Sequence, residues 1–402
     1  MVVITGLIQF LFWASLALMA HTYLLYPFLM YCLTRRKPEH IPVFGSLQEA
    51  PRISILMSVF NEEKVLHEKL ESILRSSFPV EKMHLFLGSD DSTDQTNSIA
   101  SEYAVRYPWI TFYPFSTRRG KPNVINQLAE EARKAYGKGP DHVLVITDAN
   151  VMLAESTLWQ LVRHYKDPNI AVVDANMVST GTREAGISKA EGRYVSLEVW
   201  LKHWEGQAWG AMIGPFGGCY AIRADYYREV PANFLVDDFF IVLRALEQGG
   251  RAINDLDALC FEAATHEIRH EFRRKKRISA GNFQNLFTFR NLWWPPTKRL
   301  SFAFFSHKVL RWTGPLFMLV LWMAAGTLAL QGNYFFRIVF YLLNIMGIAV
   351  PLLDYFLTAI GIHFLPFRGI RYFLLMNLAL AAGWIQYKKG ITTNVWQPTH
   401  RS

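Results

Sequence analysis

The sequence predicts an α/β domain with a largely parallel sheet, carried on transmembrane and interfacial helices. Three observations lead there. Short apolar runs alternate with amphipathic segments from Arg52 to about Glu262, the pattern of strands joined through helical crossovers. Residues 4–33 hold no formally charged side chain, and roughly 20 apolar residues suffice to cross a bilayer. Further long apolar stretches follow Arg311.

Residues 4–33 read as an uncleaved span, because they lack the basic leader and small-residue cleavage site of a signal peptide and are too long for one. Arg35, Arg36 and Lys37 follow directly, which places the next domain in the cytosol by the positive-inside rule. In that domain residues 53–60 (ISILMSVF) form a buried strand. Residues 62–75 follow at helical spacing, with Val65, Leu66, Leu70, Ile73 and Leu74 as the apolar face. Residues 83–88 are a second strand, 94–107 a helix and 110–115 a third strand. A helix over 122–135 has proline near its start. Strand 142–147, helix 156–165 and strand 170–176 complete the series. Such sheets bind ligands at the carboxyl ends of their strands.

Between Phe272 and Arg311 basic residues mix with Phe, Leu and Trp, a composition suited to helices in the membrane interface. Residues 312–330, 335–360 and 372–387 are three further spans, the second interrupted by Pro351 and Asp354. The expected division is a transmembrane helix at 1–34, a cytosolic domain at 50–262, interfacial helices at 263–311, about three spans at 312–388 and a tail at 389–402.

The formal net charge of +9 is concentrated beside the spans, where anionic headgroups lie. No nucleic-acid module is recognisable, so the membrane, and not nucleic acid, is the expected partner of that charge. Cys32, Cys219 and Cys260 form neither a disulfide framework nor a zinc spacing, which fits a reducing compartment. Neither G-x-G-x-x-G nor G-x-x-x-x-G-K-[ST] occurs.

Acidic residues fall where strands end. The second strand runs into Ser89-Asp90-Asp91-Ser92-Thr93-Asp94. Thr93 or Asp94 is the expected helix cap, and Asp90 faces the ligand. The fourth strand ends in Thr147-Asp148-Ala149-Asn150, hard oxygens of the kind that hold Mg2+ or Mn2+ on a diphosphate. Arg118-Arg119-Gly120-Lys121 offers cations for phosphate. Asp237-Asp238 opens a helix reaching Gly249. Adjacent carboxylates raise one pKa, which suits a general base, and equally complement a helix dipole. Arg274 and Arg277 are paired cations able to neutralise a leaving pyrophosphate.

The ordered set Asp90, Lys121, Asp148-Ala149-Asn150, Asp237-Asp238 and Arg274-Lys275-Lys276-Arg277 resembles the inverting family-2 glycosyltransferases. Within them it is similar to the membrane-embedded synthases of chitin, hyaluronan, poly-N-acetylglucosamine and cellulose type. The resemblance covers residues 50–285 by motif and the remainder by layout. It implies a GT-A-like nucleotide-sugar-binding fold in which Asp90 contacts uridine. Lys121 and Asn126 match the family's Gly-Lys-x-x-x-x-Asn stretch near the nucleotide. Asp148 matches the metal-binding aspartate, with Asn150 at the second metal position. Asp238 matches the base of a Glu-Asp pair, with Asp237 in place of the glutamate. Gly217, Gly218 and Tyr220 fall where the acceptor-side loop lies, and Arg274 and Arg277 match the Gln/Arg-x-x-Arg-Trp motif. The implied partners are a nucleotide-sugar donor of UDP type, a lipid or glycan acceptor, and Mg2+ or Mn2+. The implied location is the cell membrane, multi-pass, with the catalytic domain cytosolic.

Three departures matter. Asn150 replaces an aspartate, Asp237 a glutamate, and Ile278 the tryptophan that supports the acceptor in polymerising members. Addition of one or a few sugars is therefore expected over processive synthesis. Two readings of another class compete: a non-catalytic scaffold of a polysaccharide export complex, and zinc hydrolysis from His266-Glu267-Ile268-Arg269-His270. The basic run at 273–277 and the lack of an evident third ligand argue against zinc.

Overall fold

A computed structural model describes residues 2–36, 41–180, 187–263, 268–392 and 394 of the chain. Two compact units divide it: a sheet unit of Leu33–Gly181, Val199–Ala264 and Ile391–Ser402, and a helical unit of Met1–Cys32, Thr182–Glu198 and Thr265–Gly390.

The sheet unit is built on eight strands: β1 (Arg52–Val59), β2 (Met83–Asp90), β3 (Ile110–Phe115), β4 (His142–Thr147), β5 (Val151–Leu153), β6 (Ile170–Thr180), β7 (Cys219–Arg223) and β8 (Arg251–Ala263). Their order is β3-β2-β1-β4-β7-β6-β8-β5. The pairs β1–β2, β1–β4, β2–β3 and β6–β8 are parallel. β7 runs antiparallel to both β4 and β6, and β5 antiparallel to β8. Helices Leu66–Leu74, Thr96–Arg106 and Lys121–Tyr136 make the crossovers between the first four strands, as parallel neighbours require. β4 is buried at every position, which is why it reads as an unbroken apolar run.

All five expected strands are present, and β3 and β4 keep their expected bounds. β2 runs two residues further and carries Asp90. The sheet is mixed because β5 and β7 run against their neighbours; these two and β8 lie outside the alternation visible in the sequence. β7 ends in a buried Arg223, whose guanidinium donates to the carbonyls of Ile170, Pro140, Tyr165 and Asp167. β8 contains Asn254, Asp255 and Asp257, and its polar residues break the period that would mark a strand.

In the helical unit, the segment Val2–Arg35 and the helix Tyr334–Ala359 are each long and apolar enough to cross a membrane. Arg299–Trp312 and Gly314–Leu330 meet the same criterion only as a pair, bent by 59°. Residues 372–387, expected as a span, lie in Leu365–Lys388. That helix carries buried Arg368 and Arg371 and is not among the helices long and apolar enough to span. Arg371 explains the charge at Asp354: its Nε lies 2.8 Å from the buried Asp354 carboxylate, so the two cancel inside the bundle. Phe12, Leu321, Ala325, Leu328 and Phe336 form an apolar cluster of this unit.

Candidate active site

The carboxyl end of β4 is held from two sides. The backbone N–H of Asp148 donates to the Gly218 carbonyl at 2.9 Å, and the Thr147 hydroxyl donates to the same oxygen at 3.1 Å. From below, the amine of fully buried Lys69 donates to Thr147 Oγ1 at 2.8 Å and to the carbonyl of Val151. Lys69 thus joins both ends of the turn at 148–150. Nothing in the motif reading singled it out. The available signal was a lysine on the buried stripe of helix Leu66–Leu74, between Leu66, Leu70 and Ile73.

Lys121 is the first residue of its helix. Its ammonium lies 2.6 Å from Asp148 Oδ1 and 3.8 Å from Asp237 Oδ2. Burial alone lowers its pKa, but Asp148 and Asp237 more than offset that and hold it above the usual lysine range. Asp237 and Asp238 open the helix Asp237–Glu247. Asp237 Oδ2 is buried without a hydrogen-bond partner among the described residues. Asp238 accepts the Phe239 N–H at 2.7 Å, yet its pKa is pushed up to about 7, first by burial and then by the neighbouring Asp237. A carboxylate in that range is poised to exchange protons near neutral pH.

The loop before β7 brings the two carboxylate sites together. Gly217 has φ +89°, and a Cβ there would strike Asp238 Oδ2. Gly218 leaves no room either, since Met177 and Val151 crowd the space a Cβ would take. The loop is anchored by Asp174 of β6, buried and raised in pKa by that burial. It accepts the Phe216 N–H at 2.9 Å and an ammonium proton of Lys202 at 3.0 Å.

Other expected site residues sit differently. Asp90 does not present a bare carboxylate: it accepts the N–H groups of Arg119 and Gly120 at 2.6 and 2.9 Å, with Arg118 Nε at 3.3 Å. Asn126, expected beside the nucleotide, spends its amide inside the unit. Its Nδ2 donates to the Val230 carbonyl, and its Oδ1 accepts from the Tyr227 hydroxyl and the Val230 N–H. Asn150, expected on the metal, donates to Glu262 at 2.7 Å. Tyr220, expected on the acceptor side, is instead fully buried in β7 between β4 and β6. Burial, and then the nearby Asp237 and Asp238 carboxylates, raise its pKa, so the hydroxyl lies beneath the charged cluster.

Arg274 and Arg277 stand on Ile268–Thr288 in the helical unit, where Arg274 lies 3.8 Å from Glu271. Residues 266 and 267 of the H-E-x-x-H stretch, and the side chains of 268–270, lie outside the described residues. Among the described residues no group of three or more His, Cys, Asp or Glu side chains is arranged to hold a metal.

The family model described as glycosyl transferase family 2 matches residues 54–230. The chain is 24% identical over 248 residues to the probable glycosyltransferase YdaM of Bacillus subtilis (strain 168), covering 59% of this chain and 56% of that protein. It is 23% identical over 170 residues to the beta-monoglucosyldiacylglycerol synthase of Nostoc sp., covering 41% of this chain and 34% of that one. It therefore spans about half, or less, of the length of these relatives. In structure it is similar to the mannosyltransferase PcManGT from Pyrobaculum calidifontis in complex with GDP-Man and Mn2+. The TM-score is 0.68 at 21% identity, over 94% of this chain and 99% of that one. Residues 54–230 are thus similar to glycosyl transferase family 2, and the fold that carries them is GT-A-like.

Proposed function

We propose that this chain is a membrane glycosyltransferase. It moves a sugar from a nucleotide-sugar donor, of uridine-diphosphate type, to a lipid or glycan acceptor with inversion. The observation that carries the reading is the meeting of Asp148, Asp237 and Asp238 around Lys121, with Asp238 raised to about 7. Asp238 takes the proton of an acceptor hydroxyl as that oxygen bonds to the anomeric carbon from one face. The bond from that carbon to the diphosphate breaks on the other face, so one displacement inverts the centre without a sugar–enzyme intermediate. Lys121 supplies positive charge toward the departing diphosphate.

A divalent cation fits the residues present. Asp148 keeps 34% of its side chain exposed, and Asp237 Oδ2 has no hydrogen-bond partner among the described residues. Both are hard oxygens of the kind Mg2+ or Mn2+ accept alongside phosphate oxygens and water. When bound, such an ion neutralises charge on the diphosphate. The solved mannosyltransferase of similar fold was obtained with Mn2+.

A lipid acceptor is in keeping with the name of the Nostoc relative and with the apolar segments of the helical unit. By the positive-inside rule the basic residues after the first segment favour a cytosolic sheet unit. Ile278 supports addition of one or a few sugars, since a sugar ring stacks on an indole face that isoleucine lacks.

The test is turnover of a panel of nucleotide sugars by detergent-solubilised protein, with the products sized at limiting acceptor. Asp238→Asn is expected to lower kcat at least about a hundredfold with nucleotide binding near wild type. Retention of more than about a tenth of the activity removes the base assignment. Long chains beside unreacted acceptor remove the short-product reading.

A further inference from the structure

Residues 118–120 form the loop that leads into Lys121, and three of the contacts that fix it matter here. Asp90 accepts two of its backbone N–H groups. The Arg118 guanidinium lies 3.2 Å over the centroid of the Phe60 ring. The third contact comes from far along the chain: the side chain of Asn394 occupies the space that a Cβ on Gly120 would take. Gly120 has φ +82°, so glycine alone both tolerates that backbone and admits Asn394.

Asn394 follows the last helix in the chain yet belongs to the sheet unit. The segment leading to it is tied down where Asn233 Nδ2 donates to the Ile391 carbonyl at 3.3 Å. Only 5% of Asn394 is exposed, and its amide nitrogen is buried with no hydrogen-bond partner among the described residues. Burying an unpartnered amide nitrogen is unfavourable, and among the described residues what offsets it is the packing of the Oδ1 side against Gly120.

We infer that Asn394 is a positioning residue for the donor: it holds the 118–120 loop in the shape that sets Lys121 against Asp148. The inference rests on the donor site proposed above. With Asn394 in place, the side chains of Lys121 and Asp148 stay 24% and 34% exposed. Asn394 therefore leaves the charged cluster open while bracing the loop behind it.

The experiment compares the full chain with Asn394→Ala, the isosteric Asn394→Asp, Gly120→Ala and the Gly120→Ala/Asn394→Ala double variant. Hydrogen exchange at the Arg119 and Gly120 amides and donor kinetics are the readouts. Asn394→Ala should speed exchange at both amides and raise donor KM about tenfold, with kcat changed less than about twofold because Asp238 is untouched. Asn394→Asp keeps the shape but buries a carboxylate close to Asp90, so at neutral pH it should raise donor KM at least as much as Asn394→Ala. The double variant should lose less than the two single effects combined, as residues in contact do. Unchanged loop exchange overturns the inference. So does a donor KM that falls on Asn394→Ala, which would make the segment a latch. If neither UDP nor GDP binds to wild type or variant, the donor reading fails on its own, and loop exchange alone then keeps or overturns the bracing role.

Discussion

Replacing Asp237 with asparagine tests the electrostatics of the site most directly. Asp238 titrates at about 7 because burial, and next the Asp237 carboxylate, disfavour its charge, while Lys121 opposes them. Two carboxylates about 5 Å apart at an effective dielectric near 20 repel by roughly 3 kcal/mol, or about two pKa units at 1.36 kcal/mol each. Lys121, 3.8 Å from Asp237, screens part of that. Asp237→Asn should therefore lower the acid limb of kcat/KM by one to two units, to about 5.5. Burial, the larger cause, remains, so the limb stays above the ordinary aspartate value. At pH 6 the wild type would work at about a tenth of its plateau and the variant at about three quarters, from the deprotonated fractions alone. Initial rates of nucleoside diphosphate release between about pH 4.5 and 9 read this out. The sign extends to stability. A carboxyl raised in the folded state stabilises it below its unfolded pKa, and that contribution is lost as pH rises through 7. The variant should thus gain on wild type in denaturation at pH 8 relative to pH 4. An acid limb that stays put refutes the coupling of the two aspartates, whatever the plateau rate, to which Asp237 also contributes as a proposed cation ligand.

Gly217→Ala forces a Cβ onto Asp238 at φ +89°. It should cost about a hundredfold in kcat by displacing the base, with donor KM within about threefold, measured in the same assay. Burial lowers the Lys69 pKa to about 8, against about 10.4 when unfolded. The neutral amine is favoured on folding, so that stability is complete above the unfolded value and lost as pH falls through 8. Denaturation of wild type and Lys69→Met should diverge by about 3 kcal/mol in favour of wild type between pH 8 and 10.4. A chelator should abolish activity, Mg2+ or Mn2+ should restore it, and Asp148→Ala should mimic chelation. Rescue by zinc alone would instead point to residues 266–270.

The local elements and the placing of acids at strand ends are legible in consecutive residues. β3 and β4 kept their expected bounds, because side-chain alternation and buried apolar runs are properties of consecutive residues. The same holds for the apolar segments, whose length and composition are read directly. Only the tertiary structure decided that β7 enters between β4 and β6 in the opposite sense. With that reversal Tyr220 went into the interior and Gly217 came against Asp238. Asn126 shows the same limit: a motif position marked it for the nucleotide, while its partners Tyr227 and Val230 lie about a hundred residues away. Lys69 under Asp148 and Asn394 behind Gly120 belong to this class too. Each depends on pairings between segments distant in the chain, and no period or spacing within one segment encodes which partner it will meet.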